Sequence, residues 1–152
     1  MKNEADFKRI FKRSVKSEGG FALSLAAPML AGIPDLYVVM PGYLPVLLEA
    51  KWLGEVKDKF KRKVKYSPLQ RVWIEECHSI VKYSALGLVG FKLNKQIIAA
   101  LVPFDTDFFD CLTQDVLLYG NTVSLTNGTF CVTSLFEQVP IPRINNGSVS
   151  TR

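Results

Sequence analysis

The sequence predicts an α/β domain built on a central mixed β-sheet flanked by helices. Three observations point there: an amphipathic helical segment opens the chain, two apolar runs then flank a Pro-Gly turn, and a well-capped helix precedes two further apolar runs. The length of 152 residues suits one domain with a sizeable core. An apolar content of 48% with 22% charged residues reads as ordinary globular protein.

Residues 4–16 read as the first helix, because Phe7, Ile10, Phe11 and Val15 fall on one face. Lys8, Arg9, Lys12, Arg13 and Lys16 occupy the rest, and Gly19-Gly20 ends the segment. Phe21–Ala27 is expected to be a buried strand and Pro28–Ile33 a loop. The runs Leu36–Met40 and Leu44–Lys51 flank Pro41-Gly42-Tyr43 and predict a β-hairpin, since proline presets φ and glycine takes a positive one. Trp52–Tyr66 is lysine-rich and predicts a surface loop. Ser67–Tyr83 predicts a helix with Ser67 as N-cap, Pro68 at N1, a Ser-x-x-Gln capping box through Gln70, and a buried stripe of Leu69, Trp73, Cys77, Ile80 and Val81. Gly87–Leu93 and Gln96–Val102 follow as strands around a turn at Asn94. A helix from Thr106 to Leu118 with Phe109, Leu112 and Val116 inward comes next. A hairpin of Thr122–Leu125 and Phe130–Ser134 around Asn127-Gly128 closes the ordered chain. The expected organisation is one domain over 1–139, with a core over about 4–102, an extension over 103–139 and a flexible tail over 140–152.

Charge is unevenly spread. Residues 1–76 hold 14 Lys and Arg against 9 Asp and Glu, whereas residues 77–152 hold five of each. The whole excess of +5 thus lies in the first half, which suits a polyanion such as nucleic acid. Three scattered cysteines and a single histidine argue against a disulfide framework and a zinc site, and for a reducing, cytoplasmic setting. No run reaches the roughly 20 apolar residues of a membrane helix, and the acidic N-terminus does not read as a signal peptide.

The hairpin carries the chemistry. With Pro41-Gly42-Tyr43 as the loop, Met40 pairs with Leu44 and paired residue numbers sum to 84, which puts Asp35 directly opposite Glu49. Their Cβ atoms are then roughly 4.5–5.5 Å apart. Lys51, two residues beyond Glu49, shares that face, and Ala50 points to the core. Opposed carboxylates with apolar flanks call for a cation between them or a raised pKa. Carboxylate oxygens with the Ala50 backbone carbonyl suit Mg²⁺ or Mn²⁺, and the lysine beside them suits a phosphate or an attacking water. Lys57, Lys59, Lys61, Arg62, Lys63, Lys65 and Arg71 are candidates to grip a phosphate backbone, a solvated basic loop being the alternative.

The ordered set Gly32-Ile33-Pro34-Asp35-Leu36, a hairpin, and Leu48-Glu49-Ala50-Lys51 resembles the PD-(D/E)xK nuclease superfamily. The segment Ser67-Pro68-Leu69-Gln70-Arg71-Val72-Trp73 resembles the virus-type replication-repair nuclease (VRR-NUC) group and, more loosely, phage and archaeal Holliday-junction resolvases. The resemblance spans about residues 4–102. It implies a restriction-endonuclease-like core and a Mg²⁺- or Mn²⁺-dependent, often homodimeric endonuclease acting on branched DNA in phage replication, recombination or repair. It also implies Asp35 and Glu49 as metal ligands, Lys51 as catalytic lysine and Gln70 as an active-site glutamine. A further metal-binding acid from the first helix would be Glu4, with Glu18 as its rival. The long basic segment after Lys51 and the stretch from residue 103 depart from the family pattern. A restriction-like or end-processing nuclease, and a basic DNA-binding protein without catalysis, are the competing readings.

Overall fold

The computed structural model describes residues 1–25, 31–145 and 148–150. In chain order it contains α1 (Glu4–Ser17), β1 (Phe21–Ser24), β2 (Leu36–Val39), β3 (Val46–Val56), β4 (Lys61–Lys63), α2 (Pro68–Ile80), β5 (Ala85–Leu93), β6 (Gln96–Pro103), β7 (Cys111–Thr113), α3 (Val116–Tyr119), β8 (Asn121–Ser124), α4 (Val132–Gln138), β9 (Arg143–Asn145) and β10 (Ser148–Ser150). A six-stranded sheet runs β1-β2-β3-β5-β6-β8. Its one parallel pair, β3 with β5, lies at the centre, and every other pair is antiparallel. This is the mixed α/β architecture expected from the sequence.

Alternation along the strands feeds two cores. Leu36, Val38, Leu48, Ala50, Leu86, Leu88, Ala99 and Leu101 face Phe7, Phe11 and Val15 of α1 and Leu135 and Phe136 of α4. Ala85, Val89, Phe91, Ile98, Ala100 and Val102 face the other way, toward Ile74 of α2. Burial on both faces makes the central strands near-continuous apolar runs. The Phe7 ring packs so closely on Gly90 that a Cβ on that glycine would lie 2.7 Å from it. The Asn3 side chain caps α1 by accepting from Asp6 N.

The hairpin register is the expected one: Leu36 pairs with Leu48, Tyr37 with Leu47 and Val38 with Val46, each pair summing to 84. Several other expectations need correction. β1 is a sheet edge rather than a buried strand. Ala22 packs inward while Phe21 and Leu23 are exposed; residues 26–27 of that expected strand and 28–30 of the expected loop lie outside the described residues. β3 runs on to Val56, and Lys61–Lys63 form β4 paired with β7, so the expected basic loop is largely strand. Phe60 and Val64 anchor it by turning inward between exposed lysines.

The expected buried stripe of α2 is wrong in most of its members. Ile74 is the buried residue of that helix, whereas Leu69, Ile80 and Val81 are exposed and Trp73 and Cys77 half-buried. In place of a helix over 106–118 the chain makes turns, β7 and the short α3. Phe109, Leu112 and Val116 are nevertheless all buried, as their spacing implied.

Asn127 and Gly128 do take positive φ in a tight turn closed by a Thr126–Thr129 bridge. However, Thr122–Ser124 belong to β8 of the main sheet, and the chain after Phe130 enters α4, so no C-terminal hairpin forms around that turn. The start of the expected loose tail is docked. Ile141 is buried, Leu44 N donates to Pro142 O, and Arg143 donates to the Tyr43 hydroxyl at 2.5 Å. Residues 146–147 and 151–152 of that tail lie outside the described residues.

Candidate active site

The polar centre of the molecule lies where β2 begins beside β3. Asp35 immediately precedes β2, and its backbone carbonyl accepts from Leu25 N at 2.8 Å. Its side chain turns toward β3: Oδ2 accepts from Ala50 N at 3.0 Å, and Oδ1 accepts from Lys8 Nζ at 3.0 Å. Extending the hairpin register by one step opposes Asp35 to Glu49, and by two steps opposes Pro34 to Ala50. Proline has no N–H to donate. The Ala50 carbonyl therefore lacks its ladder donor from β2, on the same side of β3 as the Asp35 carboxylate.

Glu49 is 1% exposed. Its Oε1 accepts from Lys51 Nζ at 2.7 Å and from Gln70 Nε2, while Oε2 is buried with no hydrogen-bond partner. Burial raises its carboxyl, the Lys51 hydrogen bond opposes that, and the nearby Asp35 charge adds to it, so that it reaches about 7. An orphaned buried carboxylate oxygen is costly unless something meets it.

Gln70 holds two positions at once. Its Oε1 accepts from Ser67 N at 2.9 Å, completing the capping box of α2, and from Lys51 Nζ at 3.4 Å, while its amide reaches Glu49. The helix start thus positions α2 and the Glu49–Lys51 pair together.

The donors that converge are two carboxylates and a free carbonyl. Hard oxygen donors of this kind, completed by water, fit Mg²⁺ or Mn²⁺. No cluster of three or more His, Cys, Asp and Glu suited to a metal occurs among the described residues. Glu4 stands at the rim, 3.6 Å from Lys8 Nζ, within the same charge cluster. Glu18 is elsewhere: its carboxylate accepts from Val132 N, Thr133 N and Thr133 Oγ1 and caps α4, which removes it as a rival to Glu4.

A groove of about 490 Å³ runs from this centre, lined by Glu4, Lys51, Trp52, Leu53, Lys61, Arg62, Lys63 and Lys65. β4 thus brings Lys61, Arg62 and Lys63 to the site, with Lys65 just beyond it. Lys57 and Lys59 are exposed on the turn between β3 and β4 and do not line the groove. Arg71 has a partner inside the chain, an ion pair with Asp110, and its guanidinium lies over the Phe109 ring. A larger cavity, about 670 Å³ between β6, β7 and α3, contains neither Asp35 nor Glu49 in its lining.

Two residues of the site escaped the sequence reading. Lys8, assigned to the solvated face of the first helix, is the direct partner of Asp35. Its signal was the i, i+4 spacing from Glu4 on one helix face. Tyr66 stacks on Phe109 with centroids 4.3 Å apart, and Lys51 Nζ lies 5.6 Å from its ring centroid. Its buried hydroxyl has no partner and would be 2.5 Å from a Cβ on Gly87, the residue beside Glu49 in the sheet. Burial, then the Glu49 and Asp110 charges, push its phenol up, so it remains protonated. No sequence spacing marks it.

No protein-family model matches the chain, and no characterised protein sequence matches it. Among solved structures, Hjc of Archaeoglobus fulgidus, a Holliday junction resolvase from an archaeal hyperthermophile, aligns with a TM-score of 0.51 and 15% identity, over 76% of this chain and 93% of its own. At that identity the likeness is one of fold, and in fold this chain is similar to a Holliday junction resolvase.

Proposed function

We propose that the chain is a divalent-metal-dependent, structure-specific DNA endonuclease that cleaves Holliday-junction-like DNA, working as a homodimer. The observation that carries this reading is the orphaned Glu49 Oε2 beside the Asp35 carboxylate and the free Ala50 carbonyl, at the head of a lysine-lined groove. The fold likeness to a junction resolvase supports the choice of substrate. The phage setting rests on the motif resemblance alone.

Asp35, Glu49 and the Ala50 carbonyl would hold the cation, with Glu4 in reach. When bound, such an ion lowers the pKa of its water and offsets charge on the pentavalent phosphorus transition state. Lys51, oriented by Glu49 and Gln70, holds a phosphate oxygen or the attacking water. Gln70 fixes the Glu49 rotamer. Lys61, Arg62, Lys63 and Lys65 track the DNA backbone, and their contacts make binding salt-dependent.

The test is cleavage of a labelled four-way junction in Mg²⁺ or Mn²⁺, beside linear duplex of the same sequence. Asp35→Asn, Glu49→Gln and Lys51→Met should each slow cutting by at least about 10²-fold while junction binding in Ca²⁺ survives. Cutting that persists in Asp35→Asn overturns the site. Linear duplex cut as fast as the junction replaces this reading with a restriction-like or end-processing nuclease, and tight binding without cutting in either metal replaces it with a DNA-binding protein.

A further inference from the structure

Lys8 sits where its charge and a cation would compete. Phe7 and Phe11 are fully buried and fix α1 on the sheet, so the position of the Lys8 backbone is set by the core. Its ammonium lies 3.0 Å from Asp35 Oδ1 and 3.6 Å from Glu4 Oε1. Burial works against that charge, but the Asp35 hydrogen bond and the Asp35 and Glu4 charges outweigh it and hold the ammonium above its ordinary value. Each acid of the central pair thus has its own lysine, Asp35 with Lys8 and Glu49 with Lys51.

The two lysines are held differently. Lys51 is gripped from two sides, at 2.7 Å by Glu49 and 3.4 Å by Gln70, and lies over the Tyr66 ring. Lys8 has one close contact, to Asp35. Its ion-pair partner Glu4 lines the basic groove. Formal charge points the same way. Glu4, Asp35 and Glu49 against Lys8 and Lys51 leave −1. A divalent ion turns this to +1, which one phosphodiester neutralises.

We propose that Lys8 is an exchangeable counter-ion. Without metal it neutralises Asp35; when a divalent ion takes the Asp35 carboxylate, Lys8 transfers to a phosphate of DNA lying in the groove. Metal and DNA then bind cooperatively, because each displaces Lys8 toward the arrangement that favours the other. This rests on the metal-nuclease reading above.

The experiment compares wild type, Lys8→Met, Lys8→Arg and Asp35→Asn by calorimetric titration of Mn²⁺ without DNA. Lys8→Met should bind Mn²⁺ about tenfold more tightly than wild type, and Lys8→Arg, which keeps the charge, should behave as wild type. With junction DNA in Ca²⁺, Lys8→Met should bind more weakly than wild type, and the slope of log K against log salt should shrink by about 0.9, the loss of one phosphate contact. Equal Mn²⁺ affinity in wild type and Lys8→Met, with binding lost in Asp35→Asn, overturns this inference and leaves the metal site standing. An unchanged salt slope overturns the transfer to phosphate. Absence of Mn²⁺ binding in every variant, Lys8→Met included, removes the metal reading and this inference with it.

Discussion

Two of the helices that cover the central sheet, α1 and α2, are attached in different ways. α1 buries Phe7, Phe11 and Val15 completely, and its ion pairs decorate an interface already made by apolar packing. α2 buries Ile74 and leaves Leu69, Val72 and Ile80 exposed, the last at 82%. Polar ties do much of its positioning: the capping box, the Gln70 bridge to Glu49 and Lys51, and the Arg71–Asp110 pair. A dispersed apolar contact tolerates local change, whereas a hydrogen-bonded bridge depends on a few groups and their charge. α1 is therefore anchored by its apolar face, which sets Lys8 and Glu4 beside Asp35 on a fixed backbone, whereas α2 is held by the polar groups that surround Glu49.

The largest expected effect breaks the scaffold. Phe11→Ala should destabilise the chain by about 3–5 kcal/mol in urea denaturation, through lost burial and a cavity against Phe130. A cost near that of a surface substitution would show that α1 is not the anchor.

The second prediction tests the charge held between the helices and has the opposite sign. The folded Glu49 carboxyl is raised from 4.5 to about 7, so across that window the folded chain retains a proton that the unfolded chain has released. Its contribution to stability is fully present below about 4.5, is lost as pH rises through about 7, and stays lost above. Glu49→Gln should thus stabilise the metal-free protein at about pH 8, by on the order of 2 kcal/mol, with the gain fading at about pH 4.5. Thermal melts at both pH values decide it, and a destabilised variant at the higher pH contradicts the assignment.

The smallest effect sharpens the contrast from the exposed side. Ile80→Ser should change stability by no more than about 0.5 kcal/mol at low protein concentration. A larger loss that grows with concentration would mean that a second copy covers this face of α2.

Register was the most legible feature of the sequence. A two-residue periodicity and a Pro-Gly turn fix which side chains oppose each other, and the pairs Leu36–Leu48, Tyr37–Leu47 and Val38–Val46 follow the register they predict. Helical periodicity was less informative for α2. Apolar residues lie on more than one of its faces, and the contact that orients it, Gln70 to Glu49, is tertiary. The strand at Lys61–Lys63 was legible in principle, since Phe60 and Val64 turn inward between lysines, but its dense charge read as loop. Phe109, Leu112 and Val116 show the converse case, in which spacing fixed burial and not backbone. Lys8 was obscured because it is one of five basic residues on its helix and the acid it meets lies 27 positions away.

The contact between Arg143 and Tyr43 spans 100 positions and joins the start of β9 to the tip of the hairpin whose base carries Asp35 and Glu49. Phe130, Val132, Leu135, Phe136 and Ile141 complete the same core as Leu36, Leu48 and Phe7. During vectorial synthesis the segment bearing Asp35, Glu49 and Lys51 emerges long before those partners do. Until they arrive, one wall of its core faces water. A chain cut after residue 102 would carry Glu4, Lys8, Asp35, Glu49 and Lys51 on an unfinished fold, so the last third of the chain completes the core on which their arrangement rests.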